Sequence, residues 1–229
     1  MESGSATRAV VLDSIVRSRT SVRAFRPDPV DKEVLTEIFE TARFSPSTFN
    51  TQPWRAYLLT GSVKRLLSDA ISRSHHSGDL PVFSPFPNPS PEEVVARHSE
   101  FGRRFLTALG IDRNDTVTRG KIVSRNFLFY DAPVGIIFTI ESSLTKHSWL
   151  DFGIFLQTLM LAAQSHGLAT CPQVAFVRFQ SIIADQLQLQ PAECVVCGMS
   201  LGYSVDDAPV NKIEMPREPL EKFTRWLGF

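Results

Sequence analysis

With 229 residues, 43% of them hydrophobic, the chain has enough apolar material for a sizeable core, in one large domain or two small ones. Its 24 basic residues are balanced by 24 acidic ones, so overall charge attracts neither a nucleic-acid backbone nor an acidic partner. No segment approaches the ~20 apolar residues of a membrane span, the apolar run at 9–12 is broken by Asp13 and Arg17, and three cysteines make no disulfide framework, so a cytoplasmic protein is expected.

Asp31 is placed to cap a helix whose apolar stripe is Val34, Leu35, Ile38, Phe39 and Ala42, and Ser45-Pro46-Ser47 stops it. Arg55–Thr60 reads as a short strand. Ser62 then caps a helix carrying Val63, Leu66, Leu67, Ala70 and Ile71. Prolines at 81, 85, 87, 89 and 91 make 78–91 an exposed loop. Ser90, Pro91 and Glu93 form a capping box for a helix that reaches Leu109 and stops at Gly110. Pro133–Ile140 is a buried strand. Ser148 and Asp151 form a second capping box, opening a very apolar helix through Phe152, Phe155, Leu156, Leu159, Met160 and Ala163 to Gly167. Glu193–Tyr203 is the last strand. No repeat or linker divides the chain, and the pattern is α+β in one domain spanning 1–229.

Two constellations carry chemistry. If the backbone is extended after the first helix, Arg19, Ser21 and Arg23 share one face, and two guanidiniums with a hydroxyl suit a phosphate. Surface charge at a helix end is the alternative. Between Pro46 and Trp54, Ser47, Thr48, Asn50, Thr51 and Gln52 offer many donors and acceptors in a rigid loop, which a polar turn network would also explain.

Together these segments resemble the nitroreductase family. The resemblance rests on Arg19-Thr20-Ser21-Val22-Arg23 with Phe25, then Ala42-Arg43 with Ser45-Pro46-Ser47, Asn50 and Gln52-Pro53-Trp54. It continues through Arg125-Asn126, Asp131-Ala132-Pro133-Val134, the Trp149–Gly167 helix, Thr170-Cys171-Pro172-Gln173, Leu201-Gly202-Tyr203, Ala208-Pro209-Val210-Asn211 and Pro216-Arg217, nearly the whole chain. It implies an α+β sandwich with a mixed, mainly antiparallel sheet flanked by helices. It also implies an intertwined homodimer with non-covalent FMN at the interface and a partner-wrapping segment around 204–229; the Pro-rich loop around 77–91, with Phe83 and Phe86, is open between a lid over substrate and a cover for a hydrophobic patch.

By the same resemblance, Arg19, Thr20, Ser21 and Arg23 bind the phosphate and ribityl region, joined by Arg217. Pro46, Ser47 and Asn50 reach the flavin from the other subunit. Asn126 faces the pyrimidine edge with Arg125 nearby, and Pro172, Gln173, Val174 and Ala175 run along the ring. The implied activity is reduction of nitroaromatics or quinones, with NAD(P)H reducing the flavin at N5 and leaving before a small aromatic acceptor enters. No catalytic side chain, metal, nucleic acid or membrane is called for. Several family members have a Lys soon after the Asn, where this chain has Phe127, Leu128 and Phe129, and Glu-Gly where it has Val174-Ala175. The Cys-Pro-Gln match points to the branch holding nitrobenzoate and nitroaromatic reductases.

The alternatives are a reductase of activated C=C bonds, a dehalogenase, or a flavin-storing protein without turnover. The absence of Tyr and Lys from 77–91 counts against dehalogenation. Cys194 and Cys197, three apart in a strand, are expected on opposite faces as packing residues, and Cys171 is expected to be packed too. His75-His76 reads as a frayed, exposed helix end. No G-x-G-x-x-G follows a strand, so no Rossmann nucleotide domain is expected.

Overall fold

The computed structural model describes residues 2–78 and 88–229. Helix α1 (Glu2–Ser18) leads through an extended segment to α2 (Lys32–Ala42), strand β1 (Arg55–Leu59) and α3 (Gly61–Ser77). Helices α4 (Glu92–Ala108) and α5 (Thr116–Arg125) follow, then β2 (Val134–Glu141), α6 (Lys146–Ser165), β3 (Ala169–Gln173), α7 (Gln180–Leu187) and β4 (Glu193–Gly202). The proline loop expected at 78–91 lies mostly outside the described residues. No described helix is long and apolar enough to cross a membrane.

The sheet runs β1-β2-β4-β3, and its four strands pair antiparallel throughout. The expected mixed character shrinks to one parallel bridge between Ser21 and Thr170. Strand β2 is apolar at nearly every position because helices cover both faces of the sheet. Ile136, Phe138 and Ile140 pack with α2 and α6, whereas Ile137 meets α3, α7 and the aromatic turns around Phe127, Phe129, Phe176 and Phe179. Gly198 makes this second face possible, since a Cβ there would stand 2.5 Å from the buried Phe176 ring.

Several local expectations are corrected by tertiary contacts. Asp31 stands at the boundary of α2 but its side chain does not cap; the boundary of α4 falls at Pro91, one residue after the expected cap Ser90, and Glu93 pairs with Arg97 at 3.1 Å. Thr60, not Ser62, precedes α3, and Val63 and Leu66 are exposed while Leu67 and Ile71 are buried. Helix α6 starts at Lys146, before Ser148, and Asp151 bonds a distant loop. Cys194 and Cys197 lie on the same side of the sheet, not opposite sides. Phe138 faces Cys197 but Thr139 faces Val195, so Val196 is an inserted residue that resets the alternation. Both thiols are free, as is the buried Cys171. His75 is half-buried with its ring 4.8 Å from that of Phe127, rather than frayed.

At the start of β4 the Glu193 side chain is only 1% exposed. Its carboxylate accepts from Thr139 Oγ1 at 2.5 Å and from Tyr57 Oη at 2.8 Å, with the Arg55 guanidinium at 3.3 Å. Burial alone would raise its pKa, but these donors more than offset it and hold the group below the ordinary carboxylate range. A depressed native pKa contributes stability above the unfolded value, here 4.5, and that stability is lost as the pH falls through the native value. Glu193→Gln is therefore expected to cost about 1–3 kcal/mol at pH 7. In urea titrations the gap from wild type should narrow below pH 4.5, and a gap independent of pH would contradict this account.

Candidate active site

The segment after α1 leaves the helix at Arg19 and runs extended. Val22 N–H donates to Thr170 O at 3.1 Å, while Val22 and Phe25 turn into a small core with Ala132, Ala169 and Cys171. Burying residues 22 and 25 leaves Arg19, Ser21 and Arg23 on the other side. There they line a cavity of about 1010 Å³ together with Thr20, Phe101, Asn211 and Arg217. The expected phosphate residues at the two ends of the chain are thus brought together.

Asn211 holds this arrangement. Its Oδ1 accepts from the backbone N–H of Arg23 at 2.8 Å and of Ala24 at 3.2 Å. Its Nδ2 donates to Ala24 O at 2.8 Å, Val205 O at 3.0 Å and Ser204 Oγ at 3.3 Å. One amide therefore stitches the 19–25 segment to the chain that follows β4. The sequence reading has Asn211 only as part of a motif and assigns it no role.

Among the described residues no ion pair engages Arg19, Arg23 or Arg217. Arg19 is pushed below the usual guanidinium range by burial and then by the charge of Arg217. The Arg23 guanidinium lies 5.4 Å from the ring centroids of both Phe101 and Phe105, which are four apart on α4 and so share a face. Tyr130 sits beside Arg23 in the same core, and burial pushes its hydroxyl up to about 12 against the pull of that cation. These aromatic residues are absent from the sequence reading. The i, i+4 spacing of Phe101 and Phe105 is the signal that could have found them.

Strand β3 leads away from this cradle. Cys171 is close enough to Arg19 and Arg23 to feel both charges, and Gln173 lies two residues further, about 7 Å along the strand. Gln173 Nε2 donates to Asn126 O at 2.6 Å and to Asn126 Oδ1 at 2.7 Å, and Gln173 Oε1 accepts from Ser200 Oγ at 2.8 Å. Pro172 and Val174 are exposed beside it, with Ala175 half-buried. Arg125 is exposed and paired with Asp131 at 3.2 Å, so part of its charge is already answered. After Asn126 the backbone enters a left-handed turn at Phe129, Tyr130 and Asp131, with φ of 53°, 50° and 64°. Such a run costs roughly 1–2 kcal/mol per residue. It delivers Phe129 onto Phe176, at 4.7 Å, and Tyr130 to the opposite core beside Arg23.

Pro46, Ser47 and Asn50 do not line the cradle cavity. They form a loop anchored at both ends on α6. Asp151, 5% exposed, accepts from Thr48 N–H at 3.0 Å and Thr48 Oγ1 at 3.3 Å, and the Phe155 ring stacks on Trp54 at 4.6 Å. Ser47 Oγ accepts from Gln52 N–H at 3.0 Å, closing the loop. Phe49, Asn50 and Gln52 take positive φ, and Phe49 is left 98% exposed at the tip. Among the described residues no cluster of His, Cys, Asp and Glu could hold a metal ion.

This architecture has known counterparts. The chain is 46% identical over 217 residues to 4-nitrobenzoate reductase of Pseudomonas putida, covering 95% of this chain and 96% of that one. It is 36% identical over 219 residues to nitrobenzene nitroreductase of Ectopseudomonas oleovorans, covering 94% and 96%. The crystal structure of the FMN-dependent nitroreductase NfnB from Mycobacterium smegmatis in complex with NADPH superposes with a TM-score of 0.91. That protein is 32% identical, with 96% of this chain and 99% of that chain covered. A model of the nitroreductase family matches residues 16–203, and with full-length relatives at this identity the chain belongs to the nitroreductase family.

Proposed function

We propose that the protein is an FMN-dependent NAD(P)H oxidoreductase that reduces nitroaromatic compounds and works as a homodimer. The observation that carries this reading is the set of guanidiniums at Arg19, Arg23 and Arg217. They line one cavity, which Asp13 and Glu214 also border, and among the described residues none of the three is in an ion pair, Asp13 being paired with Arg17. Cations held together unpaired repel one another, and a phosphate monoester dianion removes that penalty while filling their donor forks. FMN fits this cradle: its phosphate would be held by Arg19, Ser21, Arg23 and Arg217, and β3 leads from there to the Asn126 amide for the ring. Once bound, FMN supplies two-electron redox chemistry between a nicotinamide and a nitro group. The protein's own part is to neutralise the phosphate, fix the ring edge and present the face beside Pro172–Ala175.

The full-length relatives named for 4-nitrobenzoate and nitrobenzene, and the NADPH complex of NfnB, support the nitroaromatic substrate and the nicotinamide donor. The dimer is supported by apolar surface that a lone protomer leaves in water. Val10, Val11 and Leu12 on α1, Leu150 on α6, the Phe49 tip, and Phe223, Trp226, Leu227 and Phe229 at the C-terminal end are all more than half exposed. In this arrangement Pro46, Ser47 and Asn50 reach the partner's flavin, and 204–229 wraps the partner.

The purified protein is expected to be yellow, to lose its visible flavin absorbance with NADPH or NADH, and to regain it on adding 4-nitrobenzoate or nitrobenzene. Colour that persists with both nicotinamides would sink the reductase assignment. Arg19→Ala and Arg217→Ala each remove a charge-assisted phosphate contact, so FMN should bind about 10- to 100-fold more weakly in equilibrium titration. Wild-type affinity in both would refute the cradle. On size-exclusion chromatography the FMN-loaded protein should elute as a dimer, and a flavin-loaded monomer contradicts the shared site.

A further inference from the structure

The hydrogen-bond chain Ser200–Gln173–Asn126 has a direction that can be worked out without assuming any amide orientation. Asn126 O is a backbone carbonyl and can only accept, so the Gln173 atom 2.6 Å from it must be the amide nitrogen. The second N–H of that nitrogen is then spent on the Asn126 side chain at 2.7 Å, and the atom there must be Oδ1, because two NH₂ groups would oppose one another. Gln173 Oε1 faces Ser200 Oγ at 2.8 Å, and the hydroxyl donates. Gln173 is 3% exposed and Ser200 fully buried, so neither is available to solvent, while Asn126 is only half-buried.

We infer that Gln173 is a positioning residue for the flavin, locking the Asn126 amide so that its NH₂, and not its oxygen, faces outward. The inference rests on the flavin reading and adds to the expected site, in which residues 172–175 run along the ring with their backbone donors. Gln173 does not offer its own side chain to the ring, since both ends of its amide are committed inside the protein. What reaches the ring edge is a fixed donor at Asn126, which bonds to a carbonyl oxygen or an unprotonated ring nitrogen. Such a donor favours the redox form in which that acceptor carries more negative charge, which is the reduced flavin. The arrangement also bears on the missing lysine. Arg125 is exposed and paired with Asp131, so an oriented neutral amide does part of the work that a cation performs in other members.

The test replaces Gln173 in the FMN-loaded protein and reads the flavin reduction potential and FMN affinity, with circular dichroism to confirm folding. Gln173→Glu substitutes an acceptor for the donor, so the Asn126 amide should turn over and present oxygen to the ring. The potential should move negative, FMN should bind about 3- to 10-fold more weakly, and the visible flavin bands should shift. Gln173→Met, similar in length and without polar atoms, should move both quantities in the same direction by less. In an Asn126→Ala background, Gln173→Met should produce no further change in potential, because the effect passes through the amide already removed.

Wild-type potential and affinity in both Gln173 variants would overturn the inference. So would a full, additive effect in the Asn126→Ala background, which would mean that Gln173 acts on its own. If the Gln173 variants do not fold, Ser200→Ala decides the matter. A smaller negative shift sustains the relay, and an unchanged potential overturns it. Failure of the wild type to bind FMN would remove the flavin reading itself, whereas normal binding with unshifted variants removes only the role of Gln173.

Discussion

The phosphate cradle proposed for this site depends on one amide. Asn211 makes hydrogen bonds to both sides of a seam between the 19–25 segment and the chain after β4. Neither side of that seam belongs to the four-stranded sheet, and a single parallel bridge at Ser21–Thr170 and an antiparallel one at Phe25–Ser204 do the remaining pairing. Arg19 and Arg217 repel each other, so the guanidinium cluster would spread if its supporting backbone were free. A half-buried side chain that bonds several backbone groups at once is an economical restraint, because leaving the Arg23 and Ala24 N–H groups without it would cost up to about 1–3 kcal/mol each.

The rest of the molecule offsets backbone strain held away from this seam. Two apolar clusters sandwich the sheet, and the second includes the four phenylalanines 127, 129, 176 and 179. Against that rigid background the chain tolerates two groups of left-handed residues, at 49–52, which holds the candidate Asn50, and at 129–131, which follows the candidate Asn126. The Trp54–Phe155 stack and the Asp151–Thr48 bonds show how this is done: α6, central to the larger cluster, holds the strained loop from residues one turn apart.

How much of this was legible in the sequence follows a physical divide. Strands β1, β2 and β4 and the faces of α2 and α6 are visible because burial imposes a periodicity that survives in the residue order. The alternating Arg19, Ser21 and Arg23 stand out in the sequence, but that spacing fits surface charge at a helix end equally well, and their assignment to a phosphate enters through the family resemblance. The capping boxes fail for a different reason. Asp151 does have a hydrogen-bonding partner, but it is Thr48, 103 positions away, and no local pattern distinguishes the two destinations. The sidedness of Cys194 and Cys197 fails because a bulge at Val196 leaves no mark in composition. The role of Gln173 required knowing that β3 and β4 lie side by side, with Gln173 opposite Gly198 and Ser200 two residues further. The flavin and its acceptor entered through family resemblance, since unpaired guanidiniums by themselves specify a phosphate and nothing attached to it.

The seam at Asn211 also orders events in time. Its two sides are 188 residues apart, while every strand of the sheet is complete by Gly202. During synthesis, a chain that has emerged as far as residue 205 already possesses its core but only half of the phosphate cradle. Closing the contact of greatest sequence separation is entropically the slowest kind of step. The proposed phosphate cradle is therefore the part of the molecule that closes after the sheet. A phosphate ligand taken up there meets a sheet that is already folded.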